Sequence, residues 1–333
     1  MRKPRVVVVT GASAGVGRAA ALEFARHGAN VALIARNREA LEAAQREVES
    51  CGVRALVLPL DVSDAEAVER AAETTEQELG PIDVWVNDAM VTVFSPTPLL
   101  QADEVRRVTE VTYLGTVHGT LAALRRMMPR NQGTIVQVGS ALAYRAIPLQ
   151  AAYCGAKFAI RGFSSALRTE LLHAHSRVHI TMVQMPALNT PQFDWARTRM
   201  PGRPQPVPPI YEPEVAARAI HWASRHRRRE LLVGGSTFAA VWANRLLAPL
   251  ADRYVARTTY AAQTSLQPVA ADRPDNLWHT VPGDRGAHGR FSGRSHERST
   301  QLWLTTHRTT LLGAGLAGLA LASLVGRRLR GHA

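Results

Sequence analysis

The sequence predicts an α/β protein built on one doubly wound parallel sheet of about seven strands, with helices on both faces and a C-terminal extension. Three observations carry this. Short apolar runs alternate with longer helical stretches from the first residues to about position 235. The first run, the four valines Val6 to Val9, leads straight into a glycine-rich turn. After about Gln263 the apolar period stops. With 333 residues, 46% of them apolar, the chain can bury a large core, which excludes a wholly disordered or collagen-like protein.

In chain order, strands are expected near 5–10, 30–35, 54–60, 83–87, 133–139, 178–185 and 230–233. Between them fall helices near 15–27, 37–51, 64–79, 102–129, 151–174 and 212–227, the first entered from the glycine turn and several marked by Asp or Glu in their first turn. Residues 1–5 are basic, but the four valines behind them are too few for a signal-peptide core, so the start reads as a strand. Residues 200–213 carry six prolines and are expected to loop over the carboxyl edge of the sheet, where such loops cover ligands. The apolar stretch 238–251 contains Asn244, Arg245 and Pro249 and is expected to be a subunit-contact or membrane-surface helix.

These readings divide the chain into a nucleotide-binding domain (1–263), an extended Pro/Gly/Arg-rich linker (264–308), an apolar helix (309–326) and a basic tail (327–333). The apolar helix would be about 27 Å long against a bilayer core of about 30 Å. Its small residues Ala314, Gly318, Ala322 and Gly326 would form one stripe. A membrane anchor, an in-plane anchor and a helix docked on a partner subunit are all open readings of it. The first, with membrane lipid as a partner, places the protein on the cytoplasmic side of a membrane; otherwise it is cytoplasmic.

The net charge of +13 is spread along the chain, with nine arginines and four acids after residue 263. No helix-turn-helix or aromatic-basic platform accompanies it, so no nucleic-acid partner is expected. Two cysteines, Cys51 and Cys154, exclude a disulfide scaffold, and no metal site is expected. His173, His175 and His179 read as surface histidines at a helix-to-strand junction.

Thr10-Gly11-Ala12-Ser13-Ala14-Gly15-Val16-Gly17 follows the first strand and opens the first helix. In this context Gly11 makes the tight turn, Gly15 lets a pyrophosphate approach the backbone, and Gly17 lets helix and strand pack closely, as in a Rossmann-type dinucleotide site. At the end of the second strand Arg36 stands where an acid would bind an unmodified ribose, with Arg18 or Arg38 as helpers, so NADP(H) is preferred over NAD(H). Asp61, after the third strand, either accepts from the adenine amino group or caps the helix at 64.

Ser140 ends the fifth strand, and Tyr153 and Lys157 follow four residues apart, on one face of a helix. The chain has only two lysines, so a Tyr-x-x-x-Lys pair would arise by accident about 0.04 times. A phenol with an ordinary pKa near 10 is a poor acid–base catalyst at neutral pH, and a neighbouring ammonium lowers that pKa.

With these motifs, residues 4 to 262 resemble the short-chain dehydrogenase/reductase family. The resemblance rests on the glycine turn, Asp61, Asn87-Asp88-Ala89-Met90, Ser140, Tyr153, Lys157 and residues 186–190. It implies a homo-oligomeric oxidoreductase interconverting a small-molecule carbonyl and an alcohol, with a lipophilic substrate suggested by Trp195, Met200 and Tyr211 in the loop. It implies that Lys157 also binds the nicotinamide ribose and Thr190 the carboxamide, and extends the cofactor set to Ser13, Val16, Val62, Asn87 and Pro186. Four positions depart from the family pattern: Asp88 and Met90 replace Asn and Gly, Thr112 replaces the asparagine that holds a relay water, and Ala187 replaces a glycine. These departures leave an alternative, a membrane-tethered NADP-binding scaffold or sensor with little turnover.

Overall fold

The computed structural model describes residues 4–270 and 273–308. Seven parallel strands form the main sheet: β1 (Val6–Thr10), β2 (Asn30–Ala35), β3 (Ala55–Pro59), β4 (Ile82–Asn87), β5 (Thr134–Ser140), β6 (His179–Met185) and β7 (Glu230–Leu232). Their order is β7-β6-β5-β4-β1-β2-β3. The helices are α1 (Gly15–Arg26), α2 (Arg38–Glu49), α3 (Ala65–Glu78), α4 (Ala102–Val108), α5 (Gly115–Met127), α6 (Ala151–His173), α7 (Pro213–Ala223), α8 (Gly235–Leu246), α9 (Ala248–Ala262) and α10 (Thr300–Thr306).

Strand alternation splits the valine run between two cores. Val7 and Val9 pack with Phe24 of α1, Leu41 of α2 and Ile220 of α7. Val6 and Val8 face the other way, toward Val68 of α3, Met127 of α5 and Leu167 of α6. A strand covered on both faces has no polar side to show, which is why β1 reads as an unbroken apolar run. The chain winds outward through β2 and β3, then returns to place β4 on the other side of β1. That reversal opens a crevice at the carboxyl ends of the strands, the position at which doubly wound sheets bind ligands.

The expected helix over 102–129 is three pieces. A wide π-turn, Thr109–Leu114, separates α4 from α5. Within it the Thr112 hydroxyl donates to the Val91 carbonyl at 3.0 Å and accepts from the Val91 N–H at 3.2 Å. The proline-rich loop contributes two short strands to separate small sheets, Gly202–Pro204 paired with Thr264–Pro268 and Ile210–Tyr211 paired with Ala187–Leu188 and Ser295–His296. The stretch 238–251 spans parts of two helices, α8 and α9, which keep Val241 and Thr259 buried and leave Trp242, Leu246, Leu250 and Tyr254 exposed.

Residues 264–308, expected as an extended linker, lie on the domain. Leu277, Val281 and Phe291 are buried against it. These apolar residues are too sparse to make a period, so pattern reading misses them, yet Leu277 joins the core that holds Val6 and Val8, Phe291 packs with Phe94 and Phe193, and Val281 lines the cleft. The expected apolar helix 309–326 and basic tail 327–333 lie outside the described residues. Among the described residues, no helix is long and apolar enough to cross a membrane.

A buried polar knot ties β4 and β5 to α5. Trp85 Nε1 donates to Asn87 Oδ1 at 2.9 Å, and Asn87 Nδ2 donates to Thr120 Oγ1 at 3.1 Å and Gln137 Oε1 at 2.9 Å. Gln137 Nε2 closes the ring on Thr120 Oγ1 at 2.9 Å. Replacing Asn87 with alanine orphans a buried indole N–H and an amide oxygen, so we expect a loss of about 2–3 kcal/mol. Urea unfolding should show a lowered midpoint at unchanged slope; an unchanged midpoint would contradict the account.

Candidate active site

The crevice is a cleft of about 420 Å³ lined at one end by the glycine turn and at the other by Ser140, Tyr153 and Lys157. At the first end, β1 runs directly into α1, which has no side-chain cap, whereas Asn37 caps α2 and Asp64 caps α3. The Val16 N–H in the first turn of α1 finds no acceptor among the described residues. Gly15, at φ 57°, presents no side chain to the cleft, where a Cβ would lie 3.3 Å from Thr190. A Cβ on Gly17 would lie 2.3 Å from the Gly11 carbonyl oxygen, so only glycine lets α1 start this close to β1. The free Val16 N–H and a backbone without side chains suit an anion such as a dinucleotide pyrophosphate.

Beside this turn, Ser13, Arg36, Asp61 and Val62 line the cleft. The Arg36 guanidinium donates to the carbonyl oxygens of Trp278, at 3.1 Å, and Asn276. Asp61 does not cap α3. One of its oxygens accepts from Ser63 N–H at 3.0 Å and Ser63 Oγ at 2.8 Å, and the other pairs with Arg107. Burial acts to raise its pKa, but these hydrogen bonds outweigh burial and hold the carboxyl below its ordinary range. Arg18 is buried in pairs with Glu47 at 2.8 Å and Asp284 at 2.5 Å, and Arg38 is exposed beside Glu42.

At the other end, β5 delivers Ser140 to the rim, where its Oγ accepts from Leu142 N–H at 3.1 Å. Tyr153 and Lys157 stand on α6, with Lys157 Nζ 5.5 Å from the Tyr153 ring centroid. The ammonium is buried and donates to the Val138 carbonyl at 2.7 Å. Burial pushes the Tyr153 phenol up, and a hydrogen bond from Ser140 works against it. Burial also lowers Lys157 and raises Asp88, and their mutual attraction opposes both shifts. Thr190 and Pro191 lie against Gly15, and Pro186 also lines the cleft.

Two expected site residues are placed elsewhere. The Asn87 side chain belongs to the buried knot beneath the cleft, and the fully buried Thr112 hydroxyl is occupied by Val91. Asp88, noted in the sequence only as a departure, stands in the cleft as a carboxylate near Lys157. Asn276, Thr280, Val281, Gly283 and Arg285 also line the cleft, and the sequence reading does not place them there. The scattered Leu277, Trp278 and Val281 were the one signal of their docking.

Comparison with known proteins gives a consistent picture. The model of the short chain dehydrogenase family matches residues 5–200. The chain is 29% identical over 330 residues to the uncharacterized oxidoreductase YxnA of Bacillus subtilis (strain 168), covering 98% of this chain and 92% of that protein. It is 40% identical over 170 residues to dehydrogenase/reductase SDR family member 7 of Homo sapiens, covering 50% of each. It is 33% identical over 192 residues to the 3-dehydrosphinganine reductase of Danio rerio, covering 56% of this chain and 57% of that one. A solved alcohol dehydrogenase from the archaeon Thermococcus sibiricus, complexed with 5-hydroxy-NADP, superimposes with a TM-score of 0.60 at 28% identity, covering 69% of this chain and 95% of that one. The glycine turn, the Tyr/Lys helix and these matches together show that the chain belongs to the short-chain dehydrogenase family, NAD(P)-dependent oxidoreductases acting on CH–OH groups.

Proposed function

We propose that the protein is an NADP(H)-dependent oxidoreductase that interconverts a lipophilic carbonyl compound and its alcohol. The observation that carries this reading is the single cleft that holds the bare glycine turn and Arg36 at one end and Ser140, Tyr153 and Lys157 at the other. The bound nicotinamide supplies or accepts the hydride.

Tyr153 exchanges the proton at the substrate oxygen. With its pKa raised by burial, the phenol holds its proton at neutral pH and is ready to donate it to a developing alkoxide. The buried Lys157 ammonium, fixed on the Val138 carbonyl, stabilises the phenolate left behind. Ser140, whose Oγ accepts the Leu142 N–H and whose hydroxyl bonds to Tyr153, orients the substrate oxygen when its proton turns from Tyr153 to that oxygen. Thr112 serves as a brace for the loop at Val91 and takes no part in proton transfer.

Arg36, together with the absence of an acid at the end of β2, supports NADP(H) over NAD(H), because a guanidinium pairs with a 2′-phosphate and offers an unmodified ribose no acceptor. The substrate half of the cleft is walled by Leu142, Ile147, Leu188, Phe193, Trp195 and Val207, which favours an apolar body next to the reacting oxygen.

Tyr153→Phe should lower kcat about 10²–10⁴-fold while NADPH affinity, read by fluorescence titration, stays within about twofold. Full turnover by this variant would refute the assigned proton donor. Arg36→Gln should reduce kcat/KM for NADPH about tenfold more than for NADH. An equal loss with both nucleotides would remove the 2′-phosphate assignment. In a carbonyl panel, bulky apolar ketones should give higher kcat/KM than small polar ones, and the reverse order would reject the lipophilic substrate.

A further inference from the structure

The segment after α9 crosses the nucleotide end of the cleft and is fastened there from both sides. The Gly15 N–H donates to the Gly286 carbonyl at 3.1 Å. Asn37, whose Oδ1 caps α2, turns its Nδ2 to the carbonyls of Val281 at 3.0 Å and Gly283 at 3.4 Å. Arg36 holds the carbonyls of Asn276 and Trp278, and Arg107 Nε holds that of Leu277 at 2.9 Å. From the segment's own side, Asp284 reaches in to Arg18 at 2.5 Å and Leu277 is wholly buried. Residues 276–286 therefore form a strap with a fixed path over the glycine turn.

Within the strap, Arg285 differs from its neighbours. Asp284 is ion-paired and Gly286 is hydrogen-bonded to the turn, so the backbone at 285 is fixed in place. The Arg285 side chain lines the cleft, and no hydrogen bond or ion pair joins it to another described residue. The other arginines at this end, Arg18, Arg36 and Arg107, all have protein acceptors. Arg285 is exposed and lines the cleft on an anchored backbone, one residue from the Gly286 carbonyl that meets the Gly15 N–H, and a guanidinium so placed is completed by an anion with several oxygens.

We propose that the strap is the outer wall of the cofactor site and that Arg285 binds a phosphate of the nucleotide. This rests on the NADP(H) reading above and deepens it. The strap lies across the adenosine end, which gives the C-terminal extension a part in holding the cofactor. Its free cation adds a third positive group to Arg36 and the α1 N-terminus.

The test uses the full chain. Dissociation constants for NADPH and NADH are measured by energy transfer from tryptophan for the native protein, Arg285→Gln and Arg285→Lys, and amide exchange over 276–290 is followed with and without NADPH. We expect Arg285→Gln to weaken NADPH about tenfold, the lysine variant to keep most of the affinity, and exchange over 276–290 to slow when NADPH binds. A loss confined to NADPH assigns Arg285 to the 2′-phosphate, and an equal loss with NADH assigns it to the pyrophosphate; both support the proposal. Native affinity in Arg285→Gln overturns it. Exchange that quickens or does not change with NADPH also overturns it, since the strap would then be displaced or indifferent. If the native folded protein bound neither nucleotide, the cofactor reading itself would fall, an outcome distinct from a variant that binds as well as native.

Discussion

The close passage from β1 into the first turn of α1, which has no N-cap side chain and leaves the Val16 N–H without an acceptor among the described residues, is the constraint on which much of the molecule depends. β1 is buried on both faces and cannot shift, so the chain leaves it along one path. Gly17 lets the helix begin almost on top of that path, and Gly15 strips the cleft wall of any side chain. The reversal of strand order between β1 and β4 opens the crevice there and not elsewhere. Arg36, Asp61 and the strap then surround the same few ångströms of positive potential.

The chemical end of the cleft depends on desolvation. Lys157 and Tyr153 are held on a 23-residue helix, α6, with Lys157 buried against the sheet and Tyr153 half-buried at the cleft. Burial works against charge on both residues, raising the Tyr153 phenol and lowering the Lys157 ammonium. Asp88 adds a carboxylate that offsets part of the burial penalty on Lys157. An asparagine at that position would offer no such charge, so the departure at 88 changes the electrostatics around Lys157.

The sheet was legible in the sequence because both of its faces are covered. A strand such as Val6–Thr10 then shows as a continuous apolar block, and the glycines beside it as a turn. Tyr153 and Lys157 were legible because helical spacing and the scarcity of lysine both single them out. The interruption of the helix at 109–114 was not, since it depends on Thr112 meeting Val91 across space, and no local preference encodes that contact. Asn87 read as a cofactor residue from its motif, but its orientation is set by Trp85, Thr120 and Gln137, which lie on other elements or elsewhere in the strand. The strap was invisible for a related reason. Its anchors are mostly backbone carbonyls, which every residue has, and its buried side chains are too far apart to form a pattern.

The central claim is that this cleft moves a hydride between a nicotinamide and a carbonyl carbon while Tyr153 moves the proton. The most direct test is to incubate the full-length protein with NADPH deuterated at the reactive carbon and a bulky apolar ketone, then weigh the alcohol product by mass spectrometry. The account predicts an alcohol carrying a single deuterium at the former carbonyl carbon, formed in step with NADPH oxidation. An alcohol without deuterium, or a folded protein that oxidises no NADPH with any carbonyl of a broad panel, would contradict it.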